Sequence, residues 1–248
     1  KDAGKLYIGT YSKYNLIYWD EKQREWGVVK QDDKEIKAFA GIGCLYKDSE
    51  GIIWVCSGKN SLMYIDKADG ILKVFKSNEG KPLHFESKNQ GVARITEDKN
   101  GGIWVSNIFD GLAHINPSNK QVEYFKYNPD NKNSLREGPH YRELMVDDKN
   151  RLWIGSYAGF SVYDINNKRF DTQLIDSLAK KGYDRGSICG FACDSLGRIW
   201  VSEAPEGLLR ITEDDNGVFS FKMFNTLQGL NDPNIAYMSV DPDGNLWI

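Results

Sequence analysis

The chain has 248 residues, 40% of them hydrophobic and 27% charged, which is enough to bury a sizeable core and ordinary for a globular protein. Its 32 basic against 35 acidic residues leave a formal charge of -3, which excludes the basic field of a nucleic-acid binder. No apolar run reaches the roughly 18 to 20 residues of a spanning helix, and the N-terminus carries no apolar signal core. Because the chain starts abruptly in a strand-like segment, it is expected to be a processed or excised piece.

The first element is a strand-like segment, Gly4-Lys5-Leu6-Tyr7-Ile8-Gly9, and its pattern returns as Asn150-Arg151-Leu152-Trp153-Ile154-Gly155. A Trp recurs at Trp54, Trp104, Trp153, Trp200 and Trp247 with spacings of 50, 49, 47 and 47, and Tyr7 stands 47 residues before Trp54. Five periods of about 48 residues mark a repeat architecture. Six residues before each Trp stands Asp48, Asp98, Asp147, Asp194 or Asp241, and three before it Gly51, Gly101, Asn150, Gly197 or Gly244. Asp at the first position and Gly or Asn at the fourth predict a type I turn closed by a left-handed residue, the three-residue hairpin.

Strands are predicted on both sides of each turn. Before it come stretches such as Val92-Ala93-Arg94-Ile95, Tyr141 to Val146 and Ile188 to Cys193; after it come Ile103-Trp104-Val105, Leu152-Trp153-Ile154 and Ile199-Trp200-Val201. Three adjacent apolar residues break period-two alternation, so both faces of that second strand are expected to be buried. A third strand follows, as in Gly111 to Asn116 and Gly159 to Asp164, and then a shorter fourth, as in Val122 to Phe125. Four short strands per unit predict an all-β fold, a β-propeller of four-stranded antiparallel blades. Helical spacing is absent except at Asp176 to Lys181, where one helical turn is expected. Residues 1–248 are read as one propeller domain or a fragment of one. Five periods either close as five blades or belong to a larger ring with exposed blade edges, and part of a larger ring is preferred. Exposed blade edges would invite pairing, and a homodimer is expected.

The string Asp-x-x-Gly-x-Leu-Trp-Ile-Gly, followed by Gly-Leu and an Asp or Asn, resembles the two-component regulator propeller repeat. Tyr127-Asn128-Pro129-Asp130-Asn131-Lys132-Asn133-Ser134-Leu135 and Leu227 to Ile235 are similar to the inter-blade linkers of that family. The resemblance implies the periplasmic sensor region of a hybrid two-component system of Bacteroides type, recognising oligosaccharides without turning them over. It also implies a seven-bladed ring, roughly 330 residues at this period, of which this chain would be a part, with kinase activity and any tie to a membrane in segments absent from this chain. A propeller enzyme resembling streptogramin lyase and a protein-interaction scaffold are the alternatives.

Chemistry-bearing motifs are few. The hairpin register sets Cys44 opposite Cys56, where a disulfide is geometrically allowed and two buried small side chains are the plainer reading. Cys189 and Cys193 are four apart on one strand, roughly 13 Å, too far to bond. No zinc motif, calcium loop, Gly-x-Ser-x-Gly or His-x-x-x-His occurs, so neither metal nor cofactor is expected. His114 is expected to pack within a third strand, and Trp19 and Trp26 to serve core or edge packing. Loops entering each first strand share a face with loops joining second to third strands. That face gathers Asn89, Arg94, Asn107, Phe109, His140, Tyr141, Arg142, Tyr157, Arg185, Glu203 and Glu206 as candidate ligand-binding residues. Aromatic rings there can stack on sugars, while Arg, Asn and Glu can contact hydroxyls or acidic groups.

Overall fold

The computed structural model describes residues 4–10, 16–32, 41–57, 62–85, 92–138, 140–183 and 186–248, nearly all in β-strands and tight turns. Blade 1 comprises β1 (Lys5–Gly9), β2 (Leu16–Asp20) and β3 (Glu25–Val28). Blade 2 comprises β4 (Ile42–Lys47), β5 (Ile53–Ser57), β6 (Leu62–Ile65) and β7 (Leu72–Val74). Blade 3 comprises β8 (Val92–Glu97), β9 (Ile103–Asn107), β10 (Gly111–Ile115) and β11 (Val122–Phe125). Blade 4 comprises β12 (Glu143–Val146), β13 (Arg151–Ser156), β14 (Gly159–Asp164) and β15 (Arg169–Phe170). A helix, α1 (Thr172–Ala179), precedes blade 5, made of β16 (Ser187–Cys193), β17 (Ile199–Ala204), β18 (Gly207–Glu213) and β19 (Phe219–Phe224). The pair β20 (Ser239–Val240) and β21 (Leu246–Trp247) begins a sixth sheet. In each sheet sequence neighbours pair antiparallel, giving among the described residues four four-stranded sheets, one three-stranded and one two-stranded. This is the propeller-blade meander that the repeat predicts. The chain divides into two compact units, Lys1–Tyr124 and Phe125–Ile248.

The predicted turn is present in every repeat described. The amides of Gly51, Gly101, Asn150, Gly197 and Gly244 donate to the carbonyls of Asp48, Asp98, Asp147, Asp194 and Asp241 at 2.9 to 3.1 Å. Asn150 takes φ 60°, the left-handed conformation that Asn tolerates best among residues with a Cβ. Oδ1 of each Asp accepts the amide four residues on: Ile52 (2.7 Å), Gly102 (3.0 Å), Arg151 (2.9 Å), Arg198 (3.0 Å) and Asn245 (2.8 Å). Oδ2 accepts the indole Nε1 of the repeat Trp: Trp54 (2.7 Å), Trp104 (2.8 Å), Trp153 (2.9 Å), Trp200 (2.8 Å) and Trp247 (2.8 Å). One carboxylate thus closes the turn and satisfies the one polar atom of the Trp ring, which is core at Trp54, Trp104 and Trp153 and exposed at Trp247. A buried indole N–H without such an acceptor is costly.

Within each unit the sheets pack face to face. In Lys1–Tyr124, Leu16 and Ile42 join Val55, Met63 and Leu72, while Trp54, Leu62 and Phe75 join Val92, Ile103 and Val105. In Phe125–Ile248, Trp153, Phe160 and Val162 meet Ile188, Val201 and Leu209. Second strands β5 and β9 are buried along their whole length, as their unbroken apolar triplets predict.

The helix begins earlier than its expected turn at Asp176 to Lys181. Asp171 caps it, its Oδ1 accepting the Leu174 amide at 2.9 Å, and Leu174 and Leu178 bury one face against blades 4 and 5. Trp19 and Trp26 form a cross-strand pair 5.3 Å apart, with Trp26 exposed at the edge strand β3. His114 stacks on Trp104 at 4.3 Å, and its Nε2 lies 3.2 Å from Oδ2 of Asp98.

Candidate functional site

First strands reach their second strands through a bulge in three blades, between Ile42 and Cys44, Val92 and Arg94, and Ile188 and Gly190. The extra residue is Gly43, Ala93 or Cys189, and the residue before it, Ile42, Val92 or Ile188, is buried. In blade 4 the corresponding pair is Tyr141 and Arg142. Tyr141 is buried and its hydroxyl donates to the Arg136 carbonyl at 3.0 Å. Burial, with the charge of Glu137 adding, pushes that phenol up to about 12. Tyr141 therefore serves as a core anchor. Arg142 is exposed where the other blades carry a small residue, and its amide donates to the Gly155 carbonyl at 3.1 Å. A bulge position of this kind re-aims a side chain out of the sheet plane.

Beside Arg142 stands a stacked pair. The rings of His140 and Tyr157 lie 4.2 Å apart at 13°, and the Arg142 guanidinium sits 5.4 Å from the Tyr157 ring. Burial first, and then the charge of Arg142, lowers the His140 pKa below its ordinary value. The imidazole is accordingly neutral at pH 7. Tyr157 is 45% exposed, so part of its ring meets solvent beside these two groups. His140 takes φ 69°, a left-handed backbone that aims its ring toward the β13–β14 turn. That turn is fixed by Ser156, whose Oγ donates to the Gly159 carbonyl at 2.9 Å and accepts the Ala158 amide at 3.2 Å.

The same turn connects onward to Glu203. The Gly159 amide donates to the Gly186 carbonyl at 2.9 Å, and the Gly186 amide donates to Glu203 Oε1 at 2.6 Å. Three residues past the repeat Trp, the other blades bury Ser57, Asn107 or Ser156; only Glu203 places a carboxylate there, at 2% exposure. A Cβ on Gly186 would collide with the Glu203 side chain, so that glycine leaves room for the carboxylate. Glu206 is exposed in the neighbouring turn.

The remaining candidates belong to the first unit or to undescribed positions. Asn107 is fully buried and its Oδ1 accepts the amides of Phe109 (2.9 Å) and Asp110 (3.0 Å). It caps its own turn, so its position on the face reflects architecture. Phe109 is 45% exposed on that turn, and Arg94 is half-buried with its amide on Ser106 Oγ at 3.1 Å. Asn89 and Arg185 lie outside the described residues. His140 and Arg142 therefore both meet the Tyr157 ring, and Glu203 is joined to its turn through two glycine backbones. Gly186 and Ser156, which position this group, carry no repeat signal of their own.

Two clefts open elsewhere in Phe125–Ile248. One, of about 410 Å³, lies between the 127–137 connection and α1, with Tyr127, Leu135, Phe170 and Ile175 in its walls. The other, of about 650 Å³, is polar, with Arg151, Arg169, Asp164 and Glu213. Neither includes a sequence-predicted binding residue. Among the described residues, no group of three His, Cys, Asp or Glu side chains could hold a metal ion. Nor is any helix among them long and apolar enough to cross a membrane.

No protein-family model matches the chain, and no curated protein matches it in sequence. In fold it is similar to the extracellular domain of the hybrid two-component system BT3049 from B. thetaiotaomicron. The TM-score is 0.66 at 15% identity, covering 98% of this chain and 30% of that one. The extracellular domain of the hybrid two-component system BT4673 from the same organism gives 0.67 at 17% identity, covering 99% and 30%. The chain thus spans about 30% of the length of these domains. A catalytically inactive virginiamycin B lyase from Staphylococcus aureus gives 0.66 at 15% identity, covering 100% and 74%. At such identities the likeness establishes the β-propeller fold, and two of these neighbours are the kind of protein whose repeat the sequence resembles.

Proposed function

We propose that this chain is a ligand-sensing propeller region of a hybrid two-component regulator, exported from the cytoplasm and recognising an oligosaccharide without turning it over. The observation that carries the reading is the partly exposed aromatic surface of Tyr157, with His140 stacked on its ring and the Arg142 guanidinium over it. A sugar ring stacks on such a face through its C–H groups, while a guanidinium gives paired hydrogen bonds to hydroxyls or a carboxylate. The neutral imidazole and the fixed Ser156 turn keep this surface in place before ligand arrives, which lowers the ordering cost of binding. Signal would pass by population shift, through differential affinity for two arrangements of a homodimer. Calorimetry against a panel of neutral and acidic oligosaccharides tests it. Binding to a panel member, weakened at least tenfold by Tyr157→Ala without loss of fold, supports the proposal; no binding to any member overturns it.

A second reading, a propeller lyase, is favoured by the likeness in fold to virginiamycin B lyase. It requires a histidine and a carboxylate to act on one substrate. Here His140 is stacked on Tyr157 and Glu203 accepts a backbone amide, so each is engaged in holding loops. Turnover of a lactone or glycan, abolished by both His140→Ala and Glu203→Gln, would establish the enzyme reading instead.

A further inference from the structure

The bulge at Gly43 has a chemical result. It moves the register of β4 against β5 by one residue, so that Ile42 faces Ser57 and Cys44 faces Cys56. Directly opposed residues of an antiparallel pair point to one face with Cα atoms about 4.5 to 5.5 Å apart, inside the range of about 4.4 to 6.8 Å that a disulfide spans. Both residues are thiols in this structure, and burial first, then neighbouring Cys44, raises the Cys56 thiol well above its ordinary value. Cys44 is half-buried and Cys56 fully buried. The corresponding pairs in the other blades are Arg94 with Ser106, Glu143 with Gly155 and Gly190 with Ser202. A cross-link at this register is therefore available to blade 2 alone among these four.

The other two cysteines are differently placed. Cys189 and Cys193 lie on the same strand, β16, and Cys193 Sγ stands beside the carboxylate of Asp148 at 4.0 Å. Burial, reinforced by Asp148 and Asp147, pushes the Cys193 thiol up to about 11, which suppresses its thiolate.

We propose that Cys44 and Cys56 are a built oxidation site that closes to an intra-blade disulfide when the chain meets a disulfide oxidant, such as glutathione disulfide or an oxidised dithiol protein. Cys44, the reachable partner, loses its proton and its thiolate attacks one sulfur of the oxidant. A mixed disulfide forms and one oxidant thiolate leaves. Cys56 then loses its proton and attacks Cys44 Sγ, forming the Sγ–Sγ bond and expelling the second oxidant thiolate. Two electrons and two protons pass to the oxidant, which ends as two thiols. The product would clamp the bulge and the first hairpin of blade 2, tying a short loop of the unfolded chain.

The test is thiol mapping of the purified chain. Oxidation by glutathione disulfide, denaturing alkylation and peptide mass spectrometry should show two thiols blocked and a loss of about 2 Da, with one cross-linked pair joining residues 44 and 56. A rise of roughly 5 to 10 °C in Tm, reversed by dithiothreitol, should accompany it. The pair should persist in a Cys189→Ser, Cys193→Ser double variant and vanish in Cys56→Ser, which places a hydroxyl where blades 3 and 5 already bury Ser106 and Ser202. Four alkylatable thiols after oxidation, or a cross-link through Cys189 or Cys193, would overturn the proposal, and the wild-type map alone decides if a variant misfolds.

Discussion

Gly102 and His114 compete for one space: a β-carbon on Gly102 would collide with the His114 imidazole. Four residues after the repeat Asp, blades 4 and 5 carry Arg151 and Arg198, whose Nε atoms donate to Oδ2 of Asp147 (2.7 Å) and Asp194 (2.6 Å). Blade 3 has no side chain there. His114, arriving from the third strand opposite Trp104, stands by the Asp98 carboxylate in its stead. The same acceptor is thus supplied from two different strands of the repeat.

Gly102→Arg alone should destabilise the protein by about 1 to 3 kcal/mol through overpacking against His114. Adding His114→Val, the residue that Val162 supplies opposite Trp153, should recover most of that loss, because the guanidinium then reaches Asp98 unobstructed. A double-mutant cycle in urea checks this; additive losses would refute the exchange.

Asp147→Ala removes the acceptor of the Trp153 indole, of the Arg151 amide and of the Arg151 guanidinium together. Leaving a buried indole N–H without its acceptor, and the largely buried Arg151 guanidinium with Glu213 alone, should cost roughly 2 to 4 kcal/mol. Trp153→Phe, which leaves Asp147 paired with Arg151, should cost less for its polar component. Chemical denaturation of the two variants measures the order.

Acid should loosen the repeat at its carboxylates. Burial works to raise the Asp98 pKa, yet His114, the Trp104 indole and the amides of Gly102 and Asn100 outweigh it and hold the group below the ordinary value. At Asp194 burial is likewise outweighed, by the Trp200 indole and Arg198. Both folded values lie below the unfolded one. Their stabilisation is therefore present above about pH 3.9 and is lost as pH falls through the folded values. Melting curves between pH 6 and 2 should fall steeply at the acid end, and Asp98→Asn with Asp194→Asn should flatten that fall.

Gly155 receives the next blade. Its absent side chain leaves room for Ile188, whose Cγ2 a β-carbon would approach to 2.7 Å, just as Gly9 leaves room for Ile42. Gly155→Ala should wedge blades 4 and 5 apart at a cost of about 1 to 3 kcal/mol. Ile188→Ala in the same chain should relieve the wedge while adding its own cavity cost, and thermal melts of the three variants would show whether the two effects couple.

The blades were legible because three residue types return in register: Asp and Gly dictate the turn, and the apolar triplet around Trp dictates a strand buried on both faces. The indole-to-carboxylate bond was missed, although its spacing of six recurs five times, because each residue already had a sufficient explanation in turn or core. The helix start was also readable, from Asp171 ahead of Leu174 and Leu178 at a spacing of four. The site is different. Asn107 and Tyr141 stand on the candidate binding face by position alone, and that position is spent on a turn cap and a core anchor. The stacking of His140 on Tyr157 joins residues 17 apart through a left-handed backbone at His140, which no periodicity announces.

The Asp-to-Trp clasp also bears on how the molecule is made. The contacts that close the turn of each first hairpin lie between an Asp and the Trp six residues later, as from Asp48 to Trp54. Contacts so close in sequence form within microseconds and need nothing from distant parts of the chain. Synthesis delivers residues far more slowly, at roughly 5 to 20 per second. Each newly emerged segment can therefore close its hairpin before the next repeat arrives, and bare strand edges are exposed about one blade at a time. The clasp sets assembly in the order of synthesis and shortens the window in which neighbouring repeats, nearly alike in pattern, could pair out of turn.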